Sequence, residues 1–155
     1  TAIQANDLVG RKTARDGGAG AKSIAAQIAK TEAELAASSH ADAQAMAKRL
    51  KAAREAFVDV VEFIAANTRS NPNAAFSGSV PYLMLTGNLV AGWQMARAML
   101  VALTPEAQAQ DAAFMAAKVT TARFYGDHIL SKVPGMRDSI VEGADSVTAL
   151  ALDAF

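Results

Sequence analysis

Between Ala41 and Arg69, the apolar residues Met46, Leu50, Ala53, Phe57, Val60, Val61 and Ile64 recur at three- and four-residue steps, which places them along one side of an α-helix. Glu55, Asp59 and Glu62 fall on the opposite side and predict a solvated face. Ser39 is the predicted N-cap, with Asp42 in the first turn, where a carboxylate complements the helix dipole. A preceding helix is predicted over about 21–37, with Ile24, Ile28 and Leu35 on one side and Lys30, Glu32 and Glu34 outside; Ser38, Ser39 and His40 end it. Residues 3–15 suit a short amphipathic helix that Gly17, Gly18 and Gly20 break.

The second half of the chain is more uniformly apolar. Residues 70–79, SNPNAAFSGS, read as the longest connection. Pro81 suits the first turn of a fourth helix ending near Leu103. Tyr82, Leu85, Leu89, Trp93, Ala96 and Leu100 mark one stripe of that helix. Leu83, Val90, Met95, Met99 and Val101 extend apolar character around it, so a central position is predicted. Thr104-Pro105-Glu106 stops one helix and starts another, with Thr104 able to cap and Pro105 able to occupy the first helical position. The fifth helix is predicted over about 105–133, with Phe114, Ala117, Thr121, Tyr125, His128 and Ile129 inward and Arg123 and Asp127 as an outward pair four residues apart. Pro134 and Gly135 interrupt the chain before a last helical stretch over about 136–149.

No segment alternates convincingly with the period of a strand. The expected fold is all-α: an antiparallel up-and-down four-helix bundle formed by the second to fifth helices, with short additional helices at both ends. A length of 155 residues accommodates one such core. Apolar residues make up 52% of the chain, many of them alanine, and charged residues 19%, a composition that favours packed helices.

Fifteen basic residues balance fifteen acidic ones, so no long-range field attracts nucleic acid or an anionic membrane, and neither is expected as a partner. The most apolar stretch, 80–103, is interrupted by Asn88, Gln94 and Arg97 and reads as a buried helix, not a membrane span. The opening TAIQANDLVGRK lacks the basic lead and apolar core of a signal peptide. The absence of cysteine removes disulfide, thiolate-metal and cysteine-nucleophile chemistry and agrees with a cytoplasmic location.

Candidate chemistry is sparse. Inward carboxylates with Glu-x-x-His pairs, the ligand set of a di-iron bundle, are missing, and no metal site is expected. His40 lies in a turn and suits a surface or capping role, whereas His128 is predicted to be a core histidine bonded to a neighbouring helix. Asp127 and His128 are consecutive, so on a helix they point about 100° apart and cannot form the orienting pair of a hydrolase triad. Gly17, Gly18 and Gly20 follow no strand and match no phosphate-loop spacing. Trp93, Met95 and Met99 read as core, with a ligand pocket as the alternative; Arg97 needs a partner if buried, with Glu55, Glu62 and Asp145 as candidates. The residues by themselves reach a helical bundle without a catalytic constellation.

Three blocks and the closing segment carry a resemblance. Residues 1–12, TAIQANDLVGRK, resemble the stretch after the active-site Glu-Gly-Thr of bacterial acyl-CoA dehydrogenases that carry an extra C-terminal domain. Residues 81–83, PYL, together with 92–98, GWQMARA, and later 122–130, ARFYGDHIL, resemble that extra domain, and 143–150, GADSVTAL, complete it. The order of these blocks across nearly the whole chain resembles the subgroup that includes methylmercaptopropionyl-CoA enzymes.

The resemblance implies a FAD enzyme in which a glutamate removes the α-proton of an acyl-CoA while the β-hydride passes to flavin, giving a trans-enoyl-CoA. That glutamate is expected three residues before Thr1, so no catalytic residue is assigned in this chain, which is not expected to catalyse the reaction or bind FAD alone. Thr1 matches a position that contacts the flavin adenine and is the one cofactor-binding residue carried over; the next position is often glutamine in relatives and here is Ala2. Residues 1–16 are thereby expected to be the terminal helix of the preceding catalytic domain and 17–155 the accessory bundle. The implied partners are the upstream catalytic domains of the same polypeptide, the acyl-CoA substrate and, in the full enzyme, further copies in a homo-oligomer. A free-standing scaffold or interaction bundle is the alternative reading, and a small-ligand sensor built around Trp93 and His128 is a third.

Overall fold

The protein is described by a computed structural model covering residues 2–154, and among these no strand is found. The element order is α1 (Ala2–Asp7), a π-helical turn (Leu8–Thr13) and a 3-10 turn (Ala14–Asp16), followed by α2 (Ala19–Ala37), α3 (Ala41–Asn67), α4 (Pro72–Ser77) and α5 (Ser79–Ala102). Next come α6 (Pro105–Gln110), α7 (Ala112–His128), a 3-10 turn (Leu130–Lys132), α8 (Val133–Val141) and further 3-10 turns at Ala144–Thr148 and Leu152–Ala154.

Helices α2, α3, α5 and α7 form the expected up-and-down bundle. The Lys22–Glu62 and Glu32–Arg54 pairs show α2 and α3 antiparallel across the short Ser38–His40 turn. Helices α3 and α7 pack side by side and parallel, with Asp42 beside Arg123 and Arg49 beside Asp127. Helix α8 adds a fifth member by packing on α3 and α5.

The stripe predicted on α3 is buried in full: Met46, Leu50, Ala53, Phe57, Val60, Val61 and Ile64 all lie in the core. This helix, packed against α2, α5, α7 and α8, occupies the centre. Helix α5 buries Tyr82, Leu85, Leu89, Ala96 and Met99, but its other side is open, with Val80, Met84 and Val101 exposed. Apolar character all round therefore does not make α5 a fully enclosed helix here.

Most departures from expectation trace to local capping. Asp16 accepts bonds from the backbone amides of Gly18 and Gly20 at 3.0 and 2.9 Å, which starts α2 at Ala19 and holds the Asp16 carboxyl below the usual carboxylate range. Gly17 and Gly18 adopt left-handed φ of 64° and 84°, and a Cβ at Gly18 would lie 2.5 Å from Val61 Cγ1, so this break serves both the turn and the packing. The cap of α3 is His40, not Ser39: its Nδ1 accepts from the Asp42 amide at 3.3 Å, while Ser38 Oγ accepts from the His40 amide. Within the predicted connection, Asn71 caps the extra helix α4 and Pro72 takes its first turn, burying Ala74 and Ala75.

The predicted fifth helix is two helices. Asp111 leaves helical geometry at φ −158° and accepts a bond from the Phe114 amide at 3.0 Å, ending α6 and capping α7. The inner face of α7 is also rotated from that predicted: Val119, Ala122 and Gly126 are buried, whereas Phe114, Ala117, Thr121 and His128 are exposed. A Cβ at Gly126 would lie 2.8 Å from Met46 Sδ, so the smallest residues of α7 set its approach to α3. Ile24 likewise lies outside the core, while Ala25 and Thr31 join Ile28 and Leu35 on the buried side of α2.

Candidate functional site

The polar contacts inside the bundle hold helices together. The Trp93 indole, half-buried on α5, donates to Thr31 Oγ1 on α2 at 2.8 Å. Thr13 Oγ1, from the turn after α1, is 2.9 Å from Tyr82 Oη, and burial pushes the Tyr82 phenol above its ordinary pKa against the opposing effect of that bond. Neither Thr13 nor Thr31 was marked by the apolar stripes, and each satisfies an aromatic polar tip that would otherwise be stranded.

Arg123 and Asp127 form the expected pair on α7, at 2.6 Å, and they are also tied to α3. Arg123 Nη1 donates to Asp42 Oδ1 at 3.0 Å, and Arg49 Nε donates to Asp127 Oδ1 at 3.1 Å. The Arg123 hydrogen bond, reinforced by Arg49, lowers the Asp127 carboxyl below the usual range. Glu55, Asp59 and Glu62 are exposed as predicted; Glu62 meets Lys22, Asp59 meets Arg137, and Glu55 lies near Lys51 and Arg54.

The remaining candidates do not converge. His128 is on the surface, stacked on the exposed Phe124 ring with centroids 4.4 Å apart, so the core-histidine expectation is overturned by the rotation of α7. Met99 is buried and Met95 packs partly against the core. Trp93 and His128 therefore do not line a common ligand chamber. Arg97 is exposed, donates to Gln94 Oε1 at 2.9 Å and lies 5.7 Å from the Trp93 ring centroid; none of the three carboxylates proposed for it is its partner. No group of three His, Asp or Glu residues among the described residues is placed to hold a metal. Thr1, the position assigned to the flavin adenine, lies outside the described residues.

A cleft of about 640 Å³ between α2, α5 and α7 is lined by Thr31, Glu34, Arg97, Val101, Phe114 and Lys118, among others. It combines an apolar floor with cations at its rim, but it contains no nucleophile–base pair. Among the described residues no helix is long and apolar enough to cross a membrane.

Comparison with known proteins supplies what these contacts do not. The family described as acetyl-CoA dehydrogenase C-terminal like matches residues 22–151. The chain is 43% identical, over 98% of its length, to 26% of a 3-methylmercaptopropionyl-CoA dehydrogenase from Ruegeria pomeroyi. It is 30% identical, over 94% of its length, to 25% of a broad-specificity linear acyl-CoA dehydrogenase from Mycobacterium tuberculosis. It thus spans about a quarter of the length of these curated relatives. No solved structure matches it. With the family match covering most of the bundle, the chain belongs to the acetyl-CoA dehydrogenase C-terminal-like family.

Proposed function

We propose that this chain is the C-terminal accessory part of a FAD-dependent acyl-CoA dehydrogenase that converts an acyl-CoA thioester to a trans-2-enoyl-CoA. The observation that carries the reading is the family match over residues 22–151, joined to two relatives named as acyl-CoA dehydrogenases and about four times as long. On this reading residues 1–16 belong by descent to the preceding catalytic domain and 17–155 form the accessory bundle. The start of the family match after Gly18 supports that division. The full enzyme is a homo-oligomer in the cytoplasm.

The residues described here fit a flavin poorly. The cleft beside Phe114 and Arg97 reaches the first turn of α7, but the Phe114 and Met115 amides there already donate to Asp111 Oδ1 and Asp111 O, so no cradle for a pyrophosphate is offered. No step of the reaction is assigned to this chain, and its proposed base is a glutamate upstream of Thr1.

Incubating the 155-residue chain and the longer native protein separately with FAD, several acyl-CoA thioesters and an electron acceptor tests the reading. Turnover is expected for the longer protein alone, and replacement of its upstream glutamate by glutamine should abolish it. Substrate-dependent flavin reduction by the 155-residue chain would overturn the assignment.

A further inference from the structure

Helix α5 has a second face that the bundle leaves uncovered. Val80, Met84, Gly87, Ala91, Gln94, Ala98 and Val101 follow one another at three- and four-residue steps, and none is charged. Met84 is 53% exposed and Val101 62%, and a Cβ added at Gly87 would meet nothing within 4 Å. The stripe continues onto α1, where Ile3 is 82% exposed at the edge of a shallow cleft shared with Leu83. Arg97, bonded to Gln94, flanks the C-terminal half of the row. Scattered apolar residues on a surface need no explanation, but a row of this length without a charge of its own does.

We propose that this face of α5, extended by Ile3, is the surface on which the upstream part of the same polypeptide docks. The inference rests on the accessory-domain reading, under which the missing three quarters of the protein joins the bundle immediately ahead of α1. That is the end of the stripe marked by Ile3, so the tether delivers the upstream domains to this face.

The size of the patch favours an occupant on the same chain over a second copy of the bundle. From Val80 to Val101 the stripe is about 32 Å long and one helix wide, on the order of 300 Å², whereas a stable dimer buries about 800 Å² per partner. A tethered domain needs less, because the linker holds it at an effective concentration in the millimolar range. Gly87, Ala91 and Ala98 keep the centre of the stripe low enough for another helix to approach closely, with Met84 and Val101 as large apolar contacts on either side.

Methionine oxidation reads this contact in proteins that need no substitution. The 155-residue chain and the full-length protein are exposed to dilute peroxide, and sulfoxide formation at Met84 is compared with that at Met46, which is fully buried and serves as the internal standard. Docking predicts that Met84 oxidises about tenfold more slowly in the full-length protein, equivalent to about 1.4 kcal/mol for opening the contact. A photo-cross-linking benzoylphenylalanine placed at position 98 of the full-length protein then identifies the occupant. Attachment to upstream residues supports the proposal; attachment to a second copy of the bundle, or equal Met84 oxidation in the two proteins, overturns it. Acyl-CoA turnover by the same full-length sample tests the accessory-domain reading separately, and the Met84 ratio decides the docking with or without turnover.

Discussion

Helices α3 and α5, of 27 and 24 residues, bury their inner faces in the same core and differ in what covers their outer ones. The outer side of α3 carries Glu55, Asp59 and Glu62, each near a cation supplied by its own or a neighbouring helix. That of α5 carries Val80, Met84 and Val101, with Arg97 its one charged residue, at the edge of the row. A charged outer face is complete in water, whereas a largely apolar one gains free energy only when something covers it. Similar burial on the inside therefore coexists with two different roles: α3 organises the bundle, and α5 both builds it and offers a contact beyond it.

The largest effect expected from this comparison is at the shared core. Phe57 is 3% exposed, and its ring stacks on Tyr82 with centroids 6.2 Å apart, joining α3 to α5. Phe57→Ala should cost about 3–5 kcal/mol by denaturant unfolding. A loss well under 1 kcal/mol would mean that the two helices do not share one core.

Two glycines of α5 sharpen the contrast between its faces. A Cβ at Gly92 would lie 2.6 Å from Leu130 Cδ2, whereas at Gly87 it would meet open space. Gly92→Ala should destabilise the chain by about 1–3 kcal/mol through overpacking. Gly87→Ala should stabilise it by about 1 kcal/mol through helix propensity alone. Equal shifts of the same sign in the two melting temperatures would contradict the assigned faces.

The ion-pair network between α3 and α7 adds a smaller, pH-dependent effect. Asp127 has a lowered pKa in the folded chain because of Arg123 and Arg49, so its contribution is fully present above the unfolded value of about 3.9 and fades as pH falls through the lower folded value. Asp127→Asn should cost about 0.5–1 kcal/mol near neutral pH, typical of a partly exposed network. The difference between the two proteins should shrink as pH falls below about 4. A difference that grows on acidification would exclude this origin.

The smallest effect is expected on the open face. In the 155-residue chain, Met84→Gln should change stability by no more than about 0.5 kcal/mol, since no core contact is lost. A cost above about 2 kcal/mol would show that Met84 is already buried in solution.

The comparison also shows where sequence reading succeeds. Helix α3 was legible residue by residue because its apolar and charged positions separate cleanly on the wheel. The breaks at Gly17-Gly18 and Thr104-Pro105 were legible from backbone chemistry. Asp111 and Asn71 carried capping signals that an overlapping apolar pattern obscured, since both lie in stretches that read equally well as a continuous helix or a loop. Helix α7 was misread because Phe114, Met115, Val119, Phe124 and several alanines surround it, leaving no single apolar side to choose.

For the candidate site, the legible part was the resemblance, which the family match and the two relatives bear out; the described contacts alone lead to no activity. Local patterning determined that the chain is helical, about where α2, α3 and α5 begin and end, and which side of α3 is buried, because those properties depend on residues within a few positions of one another. Which side of α7 faces inward was decided only in three dimensions, since Gly126 permits a close approach to Met46 that a larger residue forbids. The open side of α5 was decided in the same way: burial is a property of the neighbours that reach a surface, and no periodicity within a helix specifies whether a neighbour is there.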